Sequence, residues 1–156
     1  MESYHRTRYA DAGSKSDFVQ DNLSFSKKGT LREPHFQYPK GQAKLVQVIQ
    51  GEVFDVVVDI RRESPTFGRW IGEYLSDKNK RQILVPEGFA HGFCVLSNTS
   101  VFHYKCSAFY APKYERGILW SDPDVSINWP LDSPLVSEKD AKMPCLKDIA
   151  EDILPS

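Results

Sequence analysis

Glu52-Val53-Phe54-Asp55-Val56-Val57-Val58-Asp59-Ile60 is rich in β-branched residues and carries a two-residue period. Phe54, Val56, Val58 and Ile60 fall on one side of such a strand, and Val53, Asp55, Val57 and Asp59 on the other. The acids predict that the second side is partly wet. Asp55, flanked by valines, predicts a cavity wall. Immediately before Gly51 lies a second apolar run, Lys44–Gln50, and further upstream Phe18–Phe25 reads as a short strand closed by a turn at Lys27-Lys28-Gly29. Downstream, turns at Pro65-Thr66-Phe67-Gly68 and Ser76-Asp77-Lys78-Asn79-Lys80 bracket a strand at Trp70–Leu75. Gln82–Val85, His91–Leu96 and Ser100–Ser107 follow as three more. Short strands at this regular spacing predict an all-β jelly roll. The ends read differently. Ser3 to Ala12 has a short helical pattern stopped by Gly13. At the tail, Ser137-Glu138-Lys139-Asp140 resembles a helix start, and Leu146–Leu154 predicts a short C-terminal helical segment beyond Pro144.

Composition narrows the partners. The 156 residues carry 20 Lys+Arg against 21 Asp+Glu, a net charge of −1. No basic excess drives binding to nucleic acid, so an anionic partner needs a local site. No apolar run approaches the roughly 20 residues of a membrane helix, and the start lacks the apolar core of a signal peptide. Cys94, Cys106 and Cys145 are odd in number and form no CxxC pair. They read as free thiols in a reducing cytoplasm. The length fits a single domain over residues 1–156.

Pro86-Glu87-Gly88-Phe89-Ala90-His91 fits P-x-G-x-x-H and resembles the second motif of cupin barrels, which sharpens the expectation to a cupin-type double-stranded β-helix. Metal-binding cupins carry an H-x-H pair and a later Glu. Here the only candidate is His35-Phe36-Gln37, with Gln in the second ligand's place, so no metal or other cofactor is expected.

Further segments stand in a recognisable order: Phe18-Val19-Gln20-Asp21-Asn22, Leu31-Arg32-x-x-His35-Phe36-Gln37, Gly41-Gln42-Ala43-Lys44, Gly51-Glu52-Val53-Phe54-Asp55, Ser64-Pro65-Thr66-Phe67-Gly68, Tyr104-Lys105, Tyr110-Ala111-Pro112, Trp120-x-Asp122-Pro123-Asp124, Asn128-Trp129-Pro130-Leu131 and Ser137-x-Lys139-Asp140. Together they closely resemble the dTDP-4-dehydrorhamnose 3,5-epimerase family over nearly the whole chain. The resemblance implies a dTDP-linked 4-keto-6-deoxysugar as substrate and a homodimeric, cofactor-free isomerase of deoxysugar biosynthesis. A C4 ketone acidifies the protons on C3 and C5. Inverting those carbons requires a base, an acid on the opposite face and a donor for the enolate oxygen. By the resemblance His35 matches the base, Asp140 the carboxylate that orients it, Tyr104 the opposing acid and Lys44 the cation near the ketone oxygen. Arg32 matches a diphosphate ligand, a task suited to a guanidinium fork. His91, Asp55, Gln20, Asn22, Tyr110 and Glu2 match other substrate-side positions.

Read without the resemblance, these residues have plainer accounts. His35 reads as a core histidine, Tyr104 as part of an alternating edge, Lys44 as a solvated strand end and Asp140 as a helix cap. His5 and His103 receive no role. Two departures from the family stand out. Where relatives read Leu-Arg-Gly-Leu-His, this chain reads Leu31-Arg32-Glu33-Pro34-His35. The sharper expectation is that Glu33 competes with phosphate for Arg32 while Pro34 stiffens the approach to His35. The plainer one is that Glu33 points to solvent. The chain also starts late against the family pattern and is expected to lack its first strands. The alternatives to a 3,5-epimerase are a ketoisomerase or single-site epimerase on the same substrate class, and a weakly active nucleotide-sugar-binding homologue.

Overall fold

Alternating β-branched runs form nine strands in the computed structural model, which describes residues 1–156. After a short helix α1 (Arg6–Asp11) come β1 (Gln20–Lys27), β2 (Leu31–Gln37), β3 (Lys44–Gln50), β4 (Glu52–Asp59), β5 (Trp70–Ser76), β6 (Gln82–Val85), β7 (Phe89–Val95), β8 (Thr99–Cys106) and β9 (Glu115–Gly117). All named pairs are antiparallel. One sheet has the order β1-β8-β3-β6 and the other β5-β4-β7-β2-β9. This is the jelly roll that the strand spacing predicts. No helix is long and apolar enough to cross a membrane.

Away from its edge strand β5, the five-stranded sheet is buried on both faces. Towards the opposing sheet, Val53, Leu75, Phe93 and Val95 pack with Val46, Val48 and Phe102. On its outer face, Leu31, Phe54, Val56, Val58 and Ile60 pack under Val125, Trp129, Leu146, Ile149 and Leu154 of the C-terminal segment. The expectation of a wet face on β4 is therefore overturned. Asp55 and Asp59 face the interior side, with only 1% and 3% of their surface exposed. Each is compensated by a partner instead of by water: Asp55 by His91 at 2.7 Å, and Asp59 by Arg61, Ser64 and Thr66.

The expected short C-terminal helical segment is present, as 3-10 turns and not as an α-helix. It makes three single 3-10 turns, Asp140–Lys142, Leu146–Asp148 and Glu151–Ile153. Proline at 144 breaks any longer run, and the apolar residues pack separately on the sheet rather than as one helical stripe. Asp122 pins this segment: its carboxylate accepts from the amides of Asp124, Val125 and Leu146.

Candidate active site

Antiparallel register sets which side chains share a face, because directly paired residues point the same way. On β1, β8 and β3, Gln20 pairs with Cys106 and Asn22 with Tyr104, while Lys44 pairs with Cys106 and Val46 with Tyr104. Gln20, Asn22, Lys44, Tyr104 and Cys106 thus lie on one face, turned inward. On the opposing sheet, His35 pairs with His91 and Arg32 with Phe93.

That last pair of pairings needs a defect. Residues 32 and 35 are an odd number apart, so on a regular strand they would point to opposite faces. Between them β2 advances three residues while β7 advances two, a β-bulge at Glu33-Pro34. The extra residue turns Arg32 and His35 to the same side. Gly92 makes the bulge possible. A Cβ at 92 would lie 2.5 Å from the Arg32 carbonyl oxygen, 2.7 Å from the Pro34 nitrogen and 2.8 Å from the Glu33 carbonyl carbon. Proline fits here because a bulge residue need not donate to the ladder.

The two faces enclose a cavity of about 610 Å³. It is lined by Arg32 and His35 from β2, His91 from β7, Lys44 from β3, Tyr104 and Cys106 from β8, and Gln20 and Asn22 from β1. Tyr110 stands at its rim, its amide donating to the Gln20 side-chain Oε1 at 2.9 Å and its hydroxyl to Glu115 at 3.2 Å. Asp140 reaches in from the first 3-10 turn, with its Oδ1 3.2 Å from the His35 Nε2. Ser137 Oγ accepts the Asp140 amide at 3.1 Å, so the helix-cap contact does form. The Asp140 carboxylate, however, is committed to His35 and to the Glu33 amide, at 3.4 Å.

Charge around the cavity is uneven. Burial pushes the Asp140 carboxyl up, but the hydrogen bond and charge of His35, with the Glu33 and Ser137 contacts, outweigh it and hold the group below the usual range. Burial raises the Tyr104 phenol, which therefore keeps its proton at neutral pH. Burial lowers the Lys44 ammonium, and the neighbouring Cys106, Asp55 and Glu115 pull it back towards the charged form. Beneath the cavity floor, Asp55 accepts from or donates to His91 Nε2 in a buried pair.

Two of the expected site residues stand elsewhere. Asp55 does not line the cavity; it lies behind His91. Glu2 does not join the cavity either, because its carboxylate is paired with Arg8 at the exposed end of the chain. Neither expectation for Glu33 holds. It turns away from the Arg32 side of the strand, and it is fully buried instead of solvated. Gln37, in the place of a cupin metal ligand, is spent on the backbone: its amide donates to the carbonyls of Lys40 and Phe109 and its oxygen accepts the Ala111 amide. No three His, Cys, Asp or Glu side chains are grouped to hold a metal ion.

Sequence reasoning missed Glu115 and Lys139, both in the cavity lining and paired with each other. Glu115 sits on the three-residue strand β9, too short to show a period.

A family profile described as dTDP-4-dehydrorhamnose 3,5-epimerase matches residues 1–148. The chain is 56% identical over 142 residues to dTDP-4-dehydrorhamnose 3,5-epimerase of Shigella flexneri, covering 90% of this chain and 78% of that protein. Its structure is similar to that of a dTDP-6-deoxy-D-glucose-3,5-epimerase from Legionella pneumophila solved with dTDP-4-keto-L-rhamnose, with a TM-score of 0.96 and 50% identity over 99% of this chain and 83% of that one. A 3'-monoepimerase from Streptomyces bikiniensis, solved with dTDP-quinovose, is also similar, with a TM-score of 0.91 and 35% identity over 99% of this chain and 80% of that one.

Proposed function

This chain belongs to the dTDP-4-dehydrorhamnose 3,5-epimerase family, and on that premise we propose that it epimerises C3 and C5 of a dTDP-linked 4-keto-6-deoxyglucose through an enolate. The observation that carries the assignment of roles is the placement of a base and an acid on opposite sheets of one cavity. His35, backed by Asp140, comes from the five-stranded sheet, and Tyr104 from the four-stranded sheet. A sugar ring lying between them meets the base on one face and the acid on the other.

His35 takes the proton from C3 or C5. The electron pair of the broken C–H bond moves into the ring and onto the C4 oxygen. Lys44 supports the developing oxyanion by charge, which counts for more in a dry cavity than in water. Tyr104, protonated at neutral pH, returns a proton to the opposite face; solvent then takes the proton from the His35 imidazolium and reprotonates the Tyr104 oxygen before the second carbon inverts. Asp140 holds the His35 ring and stabilises the imidazolium that forms. Arg32 at the rim takes the diphosphate, and Gln20, Asn22 and Tyr110 edge the nucleotide side. Exchange in deuterated water tests this directly: NMR is expected to show deuterium entering both C3 and C5 of the product. Uptake at C3 alone would favour the single-site reading, for which the similarity to a 3'-monoepimerase is the specific support.

No step calls for a metal. Exhaustive chelation is therefore expected to leave the exchange rate unchanged, and a loss under EDTA restored by one divalent ion would overturn the acid–base reading. The three free cysteines support a cytoplasmic location. A homodimer is supported by β1, an edge strand whose Leu23 and Phe25 are 69% and 76% exposed. Sedimentation is expected to give twice the 17.8 kDa of one chain, with Leu23→Lys shifting the mass towards the monomer.

A further inference from the structure

Glu33 is the carboxyl group with the least exposure in the molecule, at 0%. It stands on the β2 bulge. Its Oε1 accepts the Trp120 amide at 3.1 Å. Its Oε2 is buried with no hydrogen-bond partner. Its own amide donates to Asp140 Oδ2, while Asp140 Oδ1 meets His35. One residue therefore ties the bulge both to the C-terminal segment and to the carboxylate behind the base.

Nothing around Glu33 offers it a cation. From the C-terminal segment the facing titratable group is Asp140, a like charge. On its own strand, Arg32 is exposed on the cavity side and His35 is engaged with Asp140. From β7, Cys94 shares the outer core, its thiol pushed up to about 12 by burial and so neutral. From β9, Arg116 donates to the carbonyls of Lys113 and Glu115, and Glu115 is paired with Lys139. An ionised Glu33 would hold one hydrogen bond, no counter-ion and a carboxylate neighbour.

We propose that Glu33 is a positioning residue for the His35–Asp140 pair, acting as a neutral carboxylic acid whose ionisation disables the pair and sets the alkaline limit of the enzyme. The proposal rests on the assignment of His35 as the base. It agrees with the electrostatics: burial, reinforced by Asp140 against the pull of the Trp120 amide, lifts the Glu33 carboxyl from 4.5 to about 8. The neutral acid's contribution to stability is then full below pH 4.5, declines as pH rises and is gone above about 8. Charge on Glu33 repels Asp140 and pushes on the bulge that aligns Arg32 and His35.

Glu33→Gln keeps the shape and the acceptor for Trp120 but cannot ionise. Two readouts are taken on the parent and on this variant: the pH profile of kcat/KM from pH 6 to 10, and the NMR titration of the His35 ring protons without substrate, assigned against His35→Ala. Above about pH 8 the parent is expected to lose rate about tenfold per pH unit relative to Glu33→Gln, whatever the absolute level of the variant. The parent's His35 resonance is expected to show an inflection near pH 8 that is missing in the variant. An alkaline fall of the same position and depth in both proteins overturns the proposal, even if the NMR inflection disappears. Glu33→Leu, also unable to ionise, gives the same comparison should the Gln variant fail to fold. The titration needs no turnover, so a chain whose exchange proves independent of His35 would refute the base assignment separately from the ionisation of Glu33.

Discussion

Replacing His35 with alanine is expected to slow deuterium exchange at both C3 and C5 by roughly 10²- to 10⁴-fold, the usual contribution of a positioned general base. In barrier terms that is about 3–5 kcal/mol. The expectation follows from the pairing with Asp140. A carboxylate held below its usual range, 3.2 Å from the ring, fixes the imidazole and stabilises its cation. With Nε2 turned to Asp140, Nδ1 has no protein partner and is the nitrogen free to take a proton. Asp140→Asn keeps the ring in place but loses the charge, so its loss is expected to be clear but smaller. Binding of dTDP alone, measured by calorimetry, is expected to change little in His35→Ala, because the nucleotide and diphosphate are assigned to Arg32, Gln20, Asn22 and Tyr110. A His35→Ala enzyme that still washes deuterium into both carbons at near the parent rate would remove His35 from the mechanism.

Much of this site was legible in the sequence, for uneven reasons. Lys44–Gln50 and Gln82–Val85 emerge with the bounds the pattern predicts, since apolar runs between turn residues leave little choice of register. Tyr104, Lys44, Gln20 and Asn22 converge because simple antiparallel pairing puts them on one face. Arg32 and His35 are different. Their three-residue spacing contradicts the two-residue period of a strand, and family resemblance alone brought them together; the physical reason is a bulge that depends on Gly92, sixty residues downstream in the chain. Asp55 was misread because an acid in a strand signals water only when nothing else covers that face. Here His91 supplies the partner. Glu33 is the reverse case: rivalry with phosphate and exposure to solvent both assume a solvated carboxylate, whereas this carboxyl is fully buried against the Trp120 amide. Glu115 left no signal, since a three-residue strand has no period to read, and Lys139 stood out only as part of the Ser137-x-Lys139-Asp140 segment.

Gly92→Ala is expected to damage stability and catalysis together, and this combination tests the bulge. The added Cβ would press on backbone atoms at 2.5–2.8 Å, which a rotamer change cannot relieve. Overpacking of this kind costs about 1–3 kcal/mol, which for a chain of 156 residues corresponds to a fall in Tm of roughly 2–12 °C. The cheapest relief is to push Glu33-Pro34 away from β7. That movement swings Arg32 and His35 out of alignment with Lys44 and Tyr104, and a displacement of about 1 Å can cost on the order of 10²-fold in rate. Gly72→Ala separates the two effects. Its Cβ would crowd the Phe54 ring at 2.2 Å, on the outer face of β4 and away from the cavity. This second variant is expected to lower Tm while keeping kcat/KM at temperatures where it stays folded. If Gly92→Ala loses stability but retains the parent's kcat/KM, as Gly72→Ala should, then the bulge is not what aligns the diphosphate ligand with the base, and another constraint must hold Arg32 and His35 on one face.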